Sequence, residues 1–171
     1  MQRTSLRPKT KRRASTIFLH FRLGNLIMAR ADFTASHRLR VRWAETDMQG
    51  IVFNGHYLTY FDVAVTEYWR GIGLAYPETT ADTGGEMYTV KATVEYHRPA
   101  RYDDELDLLI RCSRIGRSSL TFLAEIWRGE DHLVSGELIY VHADPKSRKA
   151  APLPDRLVQV ICVFERHVPA R

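Results

Sequence analysis

The sequence predicts an α+β domain in which a curled antiparallel sheet of about five strands lies against one long helix. Three observations predict it. Apolar side chains recur at Leu58, Phe61, Ala64, Val65, Tyr68, Trp69 and Ile72, the three-and-four spacing that gathers them on one helical face. From Met87 onward, segment after segment alternates apolar with polar residues, the period of a half-buried strand, and short turns join them. The clear helix precedes this run of strands instead of alternating with them, an order that packs a helix on one face of an antiparallel sheet.

Taken in order, His37 to Trp43 sets Leu39, Val41 and Trp43 against Arg38, Arg40 and Arg42, a first half-buried strand. A polar loop follows, with Gly50 and Gly55 bracketing Ile51-Val52-Phe53. The helix then runs from Tyr57 to Gly71 and Gly73, which lie where a C-terminal cap favours positive φ. Such a start points the first free backbone N–H groups of the helix toward Asp47. Pro77, Asp82, Gly84 and Gly85 mark residues 74–86 as a connection. A second strand, Met87 to His97, has Val90, Ala92, Val94 and Tyr96 on one face and is closed by Pro99. Leu106, Leu108, Ile110 and Cys112 make a third, and Leu120, Phe122, Ala124 and Ile126 a fourth. Arg128-Gly129-Glu130-Asp131 reads as a hairpin turn. Leu133 to His142 is apolar on both faces around Gly136 and is expected inside the sheet. After Pro152 and Pro154, Leu157, Val160, Ile161 and Phe164 stripe a short last helix.

A chain of 171 residues suits one well-buried domain. Its net charge of +5 is misleading, because residues 1–30 hold eight Lys or Arg and no acid, leaving 17 basic against 20 acidic side chains beyond them. The basic character therefore belongs to a leader, residues 1–30, and the domain proper is expected over 31–171, with no nucleic-acid partner. The leader is expected to be disordered, with Met28 a candidate start. Its Arg-rich, acid-free composition also fits a transit peptide, whereas His20 and Arg22 interrupt the apolar run that a signal peptide needs. No stretch approaches the ~20 apolar residues of a membrane span, so no membrane insertion is expected. Cys112 and Cys162 suggest core thiols in a reducing cytoplasm rather than a disulfide framework.

The segment Thr46-Asp47-Met48-Gln49-Gly50-Ile51-Val52-Phe53 followed by Tyr57-Leu58-Thr59-Tyr60-Phe61-Asp62 resembles the signature of the 4-hydroxybenzoyl-CoA thioesterase family of hotdog-fold proteins, particularly its YbgC-like acyl-CoA thioesterase branch. Arg98 to Leu106 and Arg114 to Phe122 are similar to later elements of the family, and the likeness covers about residues 36 to 145. The resemblance implies a sheet wrapped around a central helix, a homodimer or homotetramer with sites between subunits, and hydrolysis of acyl-CoA. It implies Asp47 as the catalytic carboxylate, the amide at Asn54 as the group polarising the carbonyl, and CoA-phosphate contacts around Arg114, Arg117 and Ser118. Gly50, Val52 and Tyr57 are the further substrate-binding candidates, and Glu67 is the alternative catalytic carboxylate, since some hotdog thioesterases carry theirs on the helix. Members of the branch often have His at the position of Asn54; here His56 is the nearby candidate to assist.

The chemistry agrees with this reading. Thioester hydrolysis needs a carboxylate as nucleophile or general base and donors where the oxyanion develops, and the start of a long helix offers both amides and a positive dipole end. No metal and no organic cofactor is called for. Asp47 also suits a turn, the commoner task for Asp in such a loop. Two other readings share the fold: a non-catalytic protein that binds acyl-CoA or acyl chains, and a dehydratase, which is disfavoured because no matching Asp/His pair stands at the helix start.

Overall fold

A strand that alternates in sequence offers one face to a core, and the computed structural model, which describes residues 30–74 and 84–171, joins these faces into a single sheet. The strands β1 (Ala35–Arg40), β2 (Glu86–Tyr96), β3 (Glu105–Ile115), β4 (Ser119–Arg128) and β5 (Asp131–Ala143) are antiparallel to their neighbours and stand in the order β1-β3-β4-β5-β2. The helix α1 (His56–Gly71) lies against one face, and α2 (Asp155–Phe164) follows Pro154. This is the hotdog arrangement that the resemblance implies. Most of the leader, with Met28, and most of the expected connection, with Pro77 and Asp82, lie outside the described residues.

The predicted helix face is buried except at Leu58, which is 44% exposed because the stripe is rotated toward Tyr57 and Tyr60: Tyr57, Tyr60, Phe61, Ala64, Val65, Tyr68 and Trp69 turn inward, onto Leu106, Leu108 and Ile110 of β3 and Leu120, Phe122 and Ile126 of β4 in the same core. Gly136 of β5 is glycine for space, since a Cβ there would come within 2.5 Å of the Phe61 ring. The C-terminal cap forms as expected, with Gly73 at φ +74 and the Leu74 N–H donating to the Trp69 carbonyl at 2.9 Å. At the far end of α1, Phe164 stands edge-on to Tyr68 with ring centroids 5.3 Å apart. The buried Glu165 carboxylate accepts the Tyr68 hydroxyl at 2.8 Å, the Cys112 N–H at 2.5 Å and the Thr34 hydroxyl at 2.7 Å, so the chain after α2 is tied to the helix, β3 and the start of β1.

Three expectations need correction. β1 ends at Arg40, not Trp43, because its partner β3 begins at Glu105, opposite Arg40. The chain then enters a 3-10 turn, Trp43–Glu45, and Trp43 is 74% exposed instead of buried. The inward face assigned to β2 is largely exposed, with Val90 at 59% and Tyr96 at 53%. β2 pairs only with β5, so its other edge is open, and a bulge between Thr89 and Lys91 shifts the register at Val90. Arg30, placed in the leader, is joined to the sheet: it ion-pairs with Asp107, bonds the Gly129 carbonyl at 2.8 Å and lies over the Trp127 ring. β5 is interior, between β4 and β2, and the Gly129 turn forms at φ +55.

Candidate active site

The loop around Asp47 is shaped by its own backbone. Thr46 and Val52 pair as a one-rung ladder, the Asp47 N–H donates to the Ile51 carbonyl at 2.9 Å, and the Gly50 N–H to the Asp47 carbonyl at 2.9 Å. Gly50 takes φ +70, a conformation that favours glycine. Asp47 performs the turn task with one oxygen, its Oδ1 accepting the Gln49 N–H at 2.8 Å. Its Oδ2 has no hydrogen bond among the described residues. One half-buried carboxylate thus stays rigidly placed with an oxygen to spare.

Two tyrosines on the first turns of α1 hold this loop. Tyr60 donates its hydroxyl to Glu45 Oε2 at 2.8 Å, and the Glu45 carbonyl accepts the Phe53 N–H at 2.9 Å. The Tyr57 hydroxyl accepts the Ala100 N–H at 2.9 Å, and the Ala100 carbonyl accepts the Val52 N–H at 2.9 Å. Burial raises the pKa of both tyrosines, and for Tyr60 the Glu45 carboxylate adds to it. Both therefore remain neutral hydroxyls at physiological pH.

The helix start differs from the expectation. The N–H groups of His56, Tyr57 and Leu58 close local turns onto the carbonyls of Phe53, Asn54 and Gly55 at 2.9, 3.3 and 3.2 Å. They are not free to meet a substrate, because the chain enters α1 through a tight turn. Among the described residues, the N–H groups left without a partner at this end are those of Asn54 and Gly55. Asn54 is exposed, and its carbonyl accepts the Tyr96 hydroxyl at 3.2 Å, which fastens the end of β2 to the site. The His56 ring is half-buried, edge-on to Phe53 at 6.1 Å.

Two substrate-binding candidates are core residues: Val52 is 3% exposed and Tyr57 2%. Each is fixed through Ala100, and their sequence neighbours at the surface, Gly50 and Phe53, are the accessible ones. Arg114, Arg117 and Ser118 stand at the other end of the sheet. Asp47 belongs with the loop that precedes β3, whereas these three sit at the β3–β4 turn, about 30 Å along the strand at ~3.4 Å per residue. A single chain therefore does not bring them to Asp47. The exposed Arg114 and Arg117 side chains have no ion-pair partner among the described residues. Glu67 lies about 16 Å along α1 from His56 at 1.5 Å per residue, and Arg70 holds it in an i,i+3 ion pair.

Among the described residues, no group of three or more His, Cys, Asp or Glu is disposed to hold a metal, and no helix is long and apolar enough to cross a membrane. Cys112 is buried, which pushes its thiol up to about 12.

The profile of the Thioesterase superfamily matches residues 49–135, beginning just after Asp47 and spanning α1 and most of the sheet. The chain belongs to the thioesterase superfamily. Membership carries thioester hydrolysis as its chemistry. An Acyl-CoA thioester hydrolase YbgC of Escherichia coli is 31% identical over 70% of this chain and 90% of its own length. A 1,4-dihydroxy-2-naphthoyl-CoA hydrolase of Synechococcus elongatus is 22% identical over 68% of this chain and 87% of its own. The crystal structure of a hypothetical protein from Aquifex aeolicus superposes with a TM-score of 0.69 at 27% identity, covering 74% of this chain and 98% of that one.

Sequence reasoning missed Glu45, Tyr60 and Tyr96. Tyr60 stands in the motif but outside the predicted apolar stripe, and nothing local marks its hydroxyl as the partner of Glu45. Glu45 carried a faint signal, being an acid beside the motif whose neighbours were all accounted for.

Proposed function

We propose that the protein is a cytoplasmic acyl-CoA thioesterase with Asp47 as its catalytic carboxylate. The observation that carries the reading is Asp47 itself: one oxygen is spent on fixing the loop, the other is uncommitted, and the start of α1 lies within the same hydrogen-bonded unit. Asp47 either attacks the thioester carbonyl directly or takes a proton from an attacking water. In both routes the carbonyl oxygen becomes an oxyanion that the Asn54 and Gly55 N–H groups and the helix dipole stabilise. When water attacks, C–S cleavage gives the acid directly and the CoA thiolate takes up the proton held by Asp47; when Asp47 attacks, C–S cleavage leaves an acyl–Asp47 anhydride and a CoA thiolate that is protonated by solvent, and one water then cleaves the anhydride to release the acid and restore the carboxylate. His56 assists as a polar donor.

The opposite placement of Asp47 and the Arg114–Ser118 turn supports a site shared between two copies. In β2 the Tyr96 end is fastened to Asn54, while the Glu86 end pairs with Ala143, next to His142, whose N–H bonds the Ser118 carbonyl. Two open β2 edges related by a two-fold axis run antiparallel, so the Tyr96 end of one copy meets the Glu86 end of the other. Arg114, Arg117 and Ser118 of a second copy would then approach Asp47, as CoA phosphates require.

Spectroscopic detection of free thiol from a panel of aryl-CoA and acyl-CoA esters tests the reading. Turnover of at least one ester is expected. Binding of the whole panel without thiol release would favour the non-catalytic acyl-CoA carrier.

A further inference from the structure

We propose that Glu45 is the positioning residue of this site, holding Asp47 and Asn54 in register from a seat that Tyr60 provides. The inference rests on Asp47 being the catalytic carboxylate. Glu45 touches both arms of the site: it stands two residues before Asp47 on the chain, and its carbonyl accepts the N–H of Phe53, the residue before Asn54. Its side chain turns into the protein toward Tyr60, and the residue is 8% exposed. There Oε2 accepts the Arg42 N–H at 2.7 Å and the Tyr60 hydroxyl at 2.8 Å, and Oε1 accepts the Arg42 guanidinium at 3.0 Å. Burial alone would raise its pKa, but the Arg42 N–H and the Tyr60 hydroxyl outweigh burial and hold the carboxyl below the usual range. A buried, ionised and fully engaged carboxylate is not itself available to a thioester.

The contact to α1 is what makes this a matter of position. The 3-10 turn at Trp43–Glu45 is held by Arg42 through local bonds that would travel with it. The Tyr60 hydroxyl ties that turn to the helix, and it lies three residues from Tyr57, whose hydroxyl ties down the far arm of the loop through Ala100. The two rings meet edge-on with centroids 5.8 Å apart. Loss of the Tyr60 hydroxyl would remove the near arm's tie to α1 and leave that arm held through the backbone bonds across the loop alone, loosening the offset between the Asp47 carboxylate and the amides at Asn54 and Gly55. A displacement of about 1 Å in such a constellation costs about 10²-fold in rate.

The test is a double-mutant cycle on the full chain with benzoyl-CoA and butyryl-CoA as probes, using whichever is turned over faster. Tyr60→Phe keeps the buried ring and removes one oxygen. It is expected to lower kcat about tenfold or more with KM within about twofold. In the Asp47→Asn background the same substitution is expected to change kcat by less than about twofold, since a positioning group has nothing left to position. An equal loss in both backgrounds, or no loss in the wild-type background, overturns the inference and leaves the Asp47 assignment standing. Wild-type turnover by Asp47→Asn alone overturns that assignment and this inference with it. If Tyr60→Phe does not fold, Glu45→Gln is read in the same cycle against the same outcomes.

Discussion

Asp47 fixes its turn with one carboxylate oxygen and keeps the other uncommitted, and the proposed catalytic role falls to the second. Asp47→Asn preserves size and lets the side-chain oxygen keep the Gln49 N–H, so the turn should survive. The charge and basicity are lost. General-base assistance is worth about 10² to 10⁴ in rate, so kcat should fall at least a hundredfold with little change in KM, read by steady-state thiol release. Glu67→Gln is the matched control. Glu67 is about three helical turns from the loop and is paired with Arg70, so its loss should leave kcat within about twofold. An inactive Glu67→Gln beside an active Asp47→Asn would move the site onto the helix.

At the scale of elements, the close seat of α1 on β5 and the ring cluster on the outer sheet face make separate demands. Gly136→Ala would drive a methyl group into Phe61. Overpacking of this kind costs about 1–3 kcal/mol, so urea denaturation should show a lower midpoint with an unchanged m-value. On the opposite face, Ser135 lies between His97 and His132, its Oγ 2.9 Å and 3.1 Å from their Nε2 atoms, and Trp127 stacks on His132 at 4.5 Å. Burial lowers the pKa of both histidines, and for His97 the neighbouring His132 lowers it further; Glu95 and, for His97, Glu125 oppose the shift. The fold thus favours the neutral rings. Their contribution to stability is present above the unfolded value of about 6.5 and is lost as pH falls through the lower folded values. Glu125, whose pKa is raised chiefly by burial, works in the opposite direction. Melting temperature should therefore drop between pH 7 and pH 5 by calorimetry, and a variant carrying His97→Asn and His132→Asn should drop less.

For the whole molecule, the open edge of β2 decides what the chain can be alone. An unpaired strand edge with exposed Val90 and Tyr96 invites a second copy. Light scattering at micromolar concentration should give at least twice the 19.8 kDa of one chain. Val90→Lys, a charge on that edge, should shift the mass toward one chain and lower kcat/KM together with it, because the Arg114–Ser118 turn would no longer stand opposite Asp47. A fully active monomer would remove the shared-site reading while leaving hydrolysis intact.

The sequence by itself determined the elements and the class. Period alone separates helix from strand, so α1, with its apolar stripe and the glycine that ends it, was legible, as were the strands and the Gly129 turn. The motif at Thr46–Phe53 singled out Asp47 as the candidate carboxylate through its resemblance to the family signature. Only the tertiary structure decided which faces are covered. Trp43 and Tyr96 alternate correctly yet emerge into solvent, since β1 runs out of partner at Glu105 and β2 has a neighbour on one side alone. Val52 and Tyr57 sit in the motif yet face the core, because Ala100, far along the chain, supplies the hydrogen bonds that bury them. The same holds for Glu45 and Tyr60, fifteen residues apart and joined by one hydrogen bond. A local pattern records what a residue prefers to bury, whereas long-range pairing sets what stands opposite it. That is why the turn at Asp47 could be read from its neighbours, while the separation of Arg114, Arg117 and Ser118 from it could not.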